Sequence, residues 1–201
     1  MKFSNDVDFL ERAIATTGIC VLHAPLFHPA MKNVAPIRRE LGVKTFFNML
    51  GPMVNPAFPK NQMVGVFNLE LLRLYNYLYQ DSDKNYSIVH DLGGYDEISL
   101  TNTVKIVSNH SEVLFSAENL GLQNNTQDAI FGGNTVAEAS KIFKTIISGN
   151  GTDAQNNVVF TNAGLAIATA KKITHVEGYE LAKEALFSGK ANECLTKLIA
   201  L

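Results

Sequence analysis

Two short stretches of this 201-residue chain carry residue types that do chemistry. The first runs from His28 to Pro56, HPAMKNVAPIRRELGVKTFFNMLGPMVNP, and holds a His-Pro turn, the cationic doublet Arg38-Arg39 and a closing Gly51-Pro52. It contains too many turn formers for one plain amphipathic helix, so it reads as a ligand-binding surface. The planar fork of arginine matches a carboxylate or phosphate bidentately, which lysine cannot do. Adjacent helical residues point about 100° apart, so at most one of the two arginines faces a given ligand. Arg38 as an anion clamp stands against a plainer alternative, a solvated arginine favoured near a helix C-terminus. His28, held by the proline that follows it, is placed to donate a hydrogen bond or to stack on an aromatic substrate.

The second stretch, Gly93-Gly94-Tyr95-Asp96-Glu97, puts two adjacent carboxylates in a glycine-rich turn. Hard oxygens in pairs suit Mg²⁺, which often takes one or two carboxylates together with substrate phosphate oxygens and keeps its waters. The alternative is an ordinary polar turn. Position strengthens the metal reading without displacing the plainer one, because the acids follow a predicted strand, and ligands of open α/β sheets gather at the carboxyl ends of strands.

The elements that must position these groups follow from periodicity and punctuation. Asn5 or Asp6 caps a helix through Phe9, Leu10, Ala13 and Ile14, with Gly18 as its stop. Ile19 to Leu22 reads as a short buried strand, and the chain then turns through Ala24-Pro25 and His28-Pro29. Short helices are predicted from Ala30 to Val34 and from Pro36 to Leu41, and a helix or turn from Thr45 to Leu50. Pro52, Pro56 and Pro59 forbid regular structure until the strand QMVGVF beginning at Gln62. A helix from Leu69 to Tyr79 and a strand from Tyr86 to Leu92 complete a right-handed βαβ step with parallel strands. Thr103–Val107 and Glu112–Ser116 read as a hairpin around Asn109-His110, an antiparallel addition to the sheet. The rest is helical: a helix capped by Asn134, a buried one from Ala154 to Lys171, and a last pair around Tyr179–Phe187 and Ala191–Leu201. The fold class expected is α/β, a mostly parallel central sheet with an antiparallel hairpin addition flanked by helices, in a single domain over residues 1–201.

Composition narrows the function classes. With 46% hydrophobic residues the chain can bury a sizeable core. A net charge of −2 from 17 basic and 19 acidic residues gives no basic stripe for nucleic acid. Cys20 and Cys194 are the only cysteines, too few and too far apart for a disulfide framework or a CxxC metal site. No apolar run approaches the roughly 20 residues of a membrane span, and the acidic N-terminus lacks a signal peptide's core, so a cytoplasmic location is expected. His23, His28, His90, His110 and His175 show no HxxxH spacing for zinc. Gly132-Gly133 lacks the GxGxxG context and reads as a turn.

The run HPAMKNVAPIRRELGVKTFFNMLGPMVNPA, followed by QMVGVF, GYDEIS and the Asn162-Ala163 element, resembles the anthranilate phosphoribosyltransferase family of the nucleoside phosphorylase-like phosphoribosyltransferases. The resemblance spans roughly Phe9 to Ala170. It implies transfer of phosphoribosyl from phosphoribosyl pyrophosphate to the amine of anthranilate in tryptophan biosynthesis, with Mg²⁺ on the departing pyrophosphate. By motif position, Arg38 binds the anthranilate carboxylate, His28, Gly51 and Pro52 line the aromatic channel, and Asp96 and Glu97 hold Mg²⁺. The family's GTGGD and KHGNR strings do not occur in these residues. The chain therefore reads as the C-terminal α/β portion of a two-domain enzyme, with little turnover expected from it alone. The family homodimer forms largely through the helical domain that is missing from this sequence. A pyrimidine nucleoside phosphorylase-like enzyme, and a non-catalytic remnant or subunit of a split enzyme, are the competing readings.

Overall fold

The computed structural model describes residues 3–28, 40 and 50–201. Where the sequence reading expects one domain, the contacts group the chain into two compact units, Met1–Phe58 with Lys190–Leu201, and Pro59–Gly189. Each is described in its own frame.

In the first unit, helix α1 (Val7–Thr17) begins where the Asp6 carboxylate accepts from the Phe9 amide at 2.9 Å and ends at left-handed Gly18, φ 76°. That matches the expected start and stop. Its buried Leu10 and Ala13 and the buried Leu198 of the C-terminal helix α7 (Lys190–Ala200) lie where the two helices pack. The strand expected at Ile19–Leu22 does not form. Ile19 is 47% and Val21 39% exposed, and among the described residues no strand pairs with this segment, so apolar character alone does not make a strand there. Instead a single-turn helix α2 (Ala24–Phe27) follows, with Pro25 in its first turn.

The second unit contains a four-stranded sheet in sequential order: β1 (Asn61–Gly65), β2 (Asn85–Asp91), β3 (Val104–Ser108) and β4 (Glu112–Phe115). β1 and β2 run parallel from Asn61↔Asn85 to Gly65↔Val89, joined by helix α3 (Leu69–Tyr79). β3 pairs antiparallel with both β2 and β4, so the hairpin addition is present and the sheet is mixed, with one parallel pairing of three. Side chains alternate across β2. Tyr86 meets α3 through its hydroxyl, which donates to Asn76, while Ser87 bonds Thr169 of helix α5 (Asp153–Lys171). The two helices thus cover opposite faces, and β2 is buried from Tyr86 to Asp91, its polar Ser87, His90 and Asp91 included.

The core gathers Val89, Ile98, Leu100, Val104, Ile106 and Phe115 of the sheet and its loops against Leu165 of α5. Helix α6 (His175–Phe187) packs along α5. Helix α4 (Val136–Ile147) is capped by Thr135, one residue later than expected. The Thr135 hydroxyl accepts from the Glu138 amide at 3.2 Å, and Glu138 in turn accepts from the Asn134 amide at 2.7 Å, so Asn134 supplies backbone rather than the cap. No helix of the described residues is long and apolar enough to cross a membrane.

Candidate functional site

The carboxylates predicted as metal ligands stand on the loop that leaves the C-terminal end of β2, and buried polar groups hold that loop at both ends. Asp91, the last residue of β2, has no solvent exposure. Its Oδ1 accepts from the Gly93 amide at 2.7 Å, and its Oδ2 accepts from the Ser99 hydroxyl at 2.5 Å and, more distantly, from the Ser99 amide at 3.4 Å. The eight-residue excursion is therefore closed on one carboxylate. Having given its proton to Asp91, the Ser99 hydroxyl accepts from the Thr101 amide at 2.9 Å and from the Thr101 hydroxyl at 2.7 Å. Inside the loop, the Asp91 amide bonds the Tyr95 carbonyl at 3.0 Å and the Gly94 amide bonds the Asp91 carbonyl at 2.9 Å.

A second clamp comes from α5. The Asn162 amide group reads both sides of the Ile98 peptide, accepting from Ile98 N–H at 2.9 Å and donating to Ile98 C=O at 2.8 Å. The third contact is steric. A Cβ on Gly65, at the end of β1, would lie 1.7 Å from the Asp96 carbonyl oxygen, so the backbone carrying the acids rests directly on a glycine.

Fixed in this way, the crest presents Asp96 and Glu97 to solvent side by side. Partial desolvation of the Glu97 carboxyl where the loop shields one side of it, and secondarily the neighbouring Asp96 charge, raise its pKa above the ordinary carboxylate value. A divalent cation relieves that repulsion. The described residues hold no cluster of three or more potential metal-binding side chains, so a cation here would have two protein carboxylates and open positions for substrate oxygens and water, a donor set that fits Mg²⁺.

The acceptor-end residues lie in the first unit. His28 closes α2, its amide donating to the Ala24 carbonyl at 3.0 Å, with its side chain half-buried. Gly51 and Pro52 form the expected turn, in which the Met53 and Val54 amides both donate to the Leu50 carbonyl, at 2.9 and 3.1 Å. Arg38 lies outside the described residues, as do Arg39 and the helix predicted from Ala30 to Val34. Two other imidazoles have structural partners: His23 stacks on Phe3 at 4.6 Å, and His90 bonds the Val66 carbonyl at 2.9 Å.

Sequence reasoning missed Asp91 and Ser99 altogether and noted Asn162 only as part of a motif. A signal existed for the first, an acid ending a predicted strand, which must find donors wherever that strand is buried.

Comparison with known proteins now bears on this geometry. Residues 1–192 match the glycosyl transferase family, a/b domain. The chain is 62% identical over 198 residues to the anthranilate phosphoribosyltransferase of Flavobacterium psychrophilum, covering 98% of this chain and 60% of that protein. The Bacteroides fragilis anthranilate phosphoribosyltransferase is 47% identical over 202 residues, 100% of this chain and 61% of that protein. This chain thus spans about three fifths of the length of the curated relatives it matches. Among solved structures, the Thermus thermophilus anthranilate phosphoribosyltransferase superposes with a TM-score of 0.81 at 32% identity, over 95% of this chain and 58% of that one. The Saccharomyces cerevisiae enzyme in complex with PRPP and Mg shares the fold, with a TM-score of 0.84 at 23% identity over 96% of this chain and 55% of that one. With the match running through nearly all of its length, the chain belongs to the glycosyl transferase family and carries its a/b domain.

Proposed function

We propose that this chain carries the anthranilate-binding and metal-binding parts of an anthranilate phosphoribosyltransferase, which moves phosphoribosyl from phosphoribosyl pyrophosphate to the amine of anthranilate in cytoplasmic tryptophan biosynthesis. The observation that carries the reading is 62% identity to a named relative across 98% of the chain. The clamped Asp96-Glu97 loop supports it. Phosphoribosyl transfer through an oxocarbenium-like state asks for positioning and charge neutralisation more than for a protein nucleophile, and the described residues offer a preorganised acidic crest.

In this reading Arg38 pairs with the anthranilate carboxylate, while His28 and the Gly51-Pro52 turn line the aromatic channel. Asp96 and Glu97 hold Mg²⁺, which when bound neutralises charge on the departing pyrophosphate. Asp91, Ser99 and Asn162 keep those two carboxylates from collapsing onto the protein or separating. Assembly as the family homodimer is proposed for the whole enzyme, through its helical domain, and not for these 201 residues alone.

The GTGGD and KHGNR strings are absent from these 201 residues, so the chain by itself is expected to turn over little substrate. The test replaces the corresponding three fifths of the Flavobacterium psychrophilum relative with this chain and follows anthranilate consumption with phosphoribosyl pyrophosphate and Mg²⁺. Activity of the chimera, lost by about a hundredfold in Asp96→Asn/Glu97→Gln and in Arg38→Ala, is expected, since each removes an ionic contact to substrate or metal. An inactive chimera that folds, or one that phosphorolyses thymidine or uridine instead, would overturn the assignment.

A further inference from the structure

At the start of β2, the opposite end of the strand from the Asp96-Glu97 loop, the second unit forms a half-open cavity of about 400 Å³. Seven residues of strand place it about 20 Å from the acids. Its floor is apolar, with Ile106, Phe115 and Leu165, while Lys172 brings a cation to its wall and no aspartate or glutamate lines it.

Three separate locks hold the walls. Asn109 ties the β3–β4 turn to β2, accepting from the Tyr86 amide at 2.8 Å and donating to the Lys84 carbonyl at 2.7 Å. The Ser87 and Thr169 hydroxyls join β2 to α5 at 2.7 Å. His175 joins α6 to the rest: its Nε2–H donates to the Thr161 carbonyl at 2.8 Å, and its ring lies on Phe115 at 4.7 Å between centroids. A cavity held on three sides before anything enters it is preorganised for a ligand.

The residue that closes α5 adds a further point. Lys172 takes the left-handed conformation, φ 58° and ψ 42°, with its amide bonded to the Ala168 carbonyl. Glycine is the relaxed choice at such a helix end, and a side chain there is strained. Here the strained residue is the one that brings a cation to the cavity.

We propose that this cavity binds a small aromatic carboxylate, its flat ring on the Phe115–Leu165 floor and its carboxylate against Lys172. The site is separate from the carboxylate loop and does not depend on the assignment of the transferase activity. The test is a titration of the ¹⁵N-labelled 201-residue chain with 2-naphthoate, read residue by residue in amide shifts, with 2-naphthalenemethanol and inorganic phosphate as controls. Saturable shifts are expected at Ser87, Ile106, Phe115 and Lys172, with both controls weaker by about tenfold or more, because each lacks either the charge or the apolar body. Lys172→Gly is expected to weaken 2-naphthoate by a similar factor while the melting temperature holds or rises, a combination that mere structural damage does not produce; Lys172→Arg retains binding. Shifts confined to other residues, equal affinity for the alcohol or for phosphate, or unchanged affinity in Lys172→Gly would each sink the proposal.

Discussion

The two ends of β2 solve opposite electrostatic problems with different materials. At the C-terminal end two exposed like charges must be held together, and the fold does so with buried polar groups: one carboxylate, one hydroxyl and one amide, each hydrogen-bonded to the loop's own backbone. At the N-terminal end a lysine stands beside an apolar floor, and the walls are joined by side-chain bonds between separate elements, Ser87 with Thr169 and His175 with Thr161. A repulsive pair needs the backbone of its loop fixed, here from within the loop and from α5, whereas a cavity needs its separate walls fixed to one another.

Substitutions test that contrast, beginning with the carboxylate end. Gly65→Ala drives a methyl into the Asp96 carbonyl, a backbone atom that cannot rotate away, and is expected to cost about 3 kcal/mol in urea unfolding and to displace the loop. A neutral result would mean that the loop does not rest on β1. Asp91→Ala leaves the buried Ser99 hydroxyl and the Gly93 amide without that acceptor, with an expected loss of about 2 kcal/mol. Asn162→Ala removes both bonds to the Ile98 peptide but leaves the Asp91 closure intact, so about 1 kcal/mol is expected, measured by the same denaturation. If Asn162→Ala proved worse than Asp91→Ala, the clamp from α5 would be the dominant one.

The cavity end is sharpened by pH. Burial lowers the pKa of His175, with its backbone hydrogen bond to Thr161 opposing the shift. The unfolded imidazole therefore takes up a proton at a higher pH than the folded one, and below about 6.5 the unfolded state binds more protons. Stability from this residue is intact above that pH and falls as pH drops through the window below it. His175→Gln should flatten the slope between pH 7 and 5 relative to the parent chain, the smallest effect of the four; an unchanged slope would place its origin elsewhere.

Much of the fold was legible in the sequence because its signals are local. The helix at Leu69–Tyr79 coincides with its expected bounds, since apolar spacing and the Asn68 cap both lie within one segment. The βαβ step and the hairpin at Asn109-His110 were readable from alternation, turn residues and connection length. Ile19–Leu22 failed for a complementary reason: a strand exists only where another backbone pairs with it, and no partner is encoded in four apolar residues.

For the site, the sequence by itself determined which residue types stand where: two adjacent acids after a strand, an arginine doublet among turn formers, and a run of motifs specific enough to point to one family. Only the tertiary structure decided that Asp91 is fully buried, that it closes on Ser99, and that Asn162 reaches Ile98 across 64 positions. It alone decided that Lys172, one of several lysines along the chain, ends a helix in a strained conformation beside an apolar cavity. Propensity and periodicity act over a few neighbours, but burial, steric contact and hydrogen-bond partnership are properties of residues that meet only when the chain has folded.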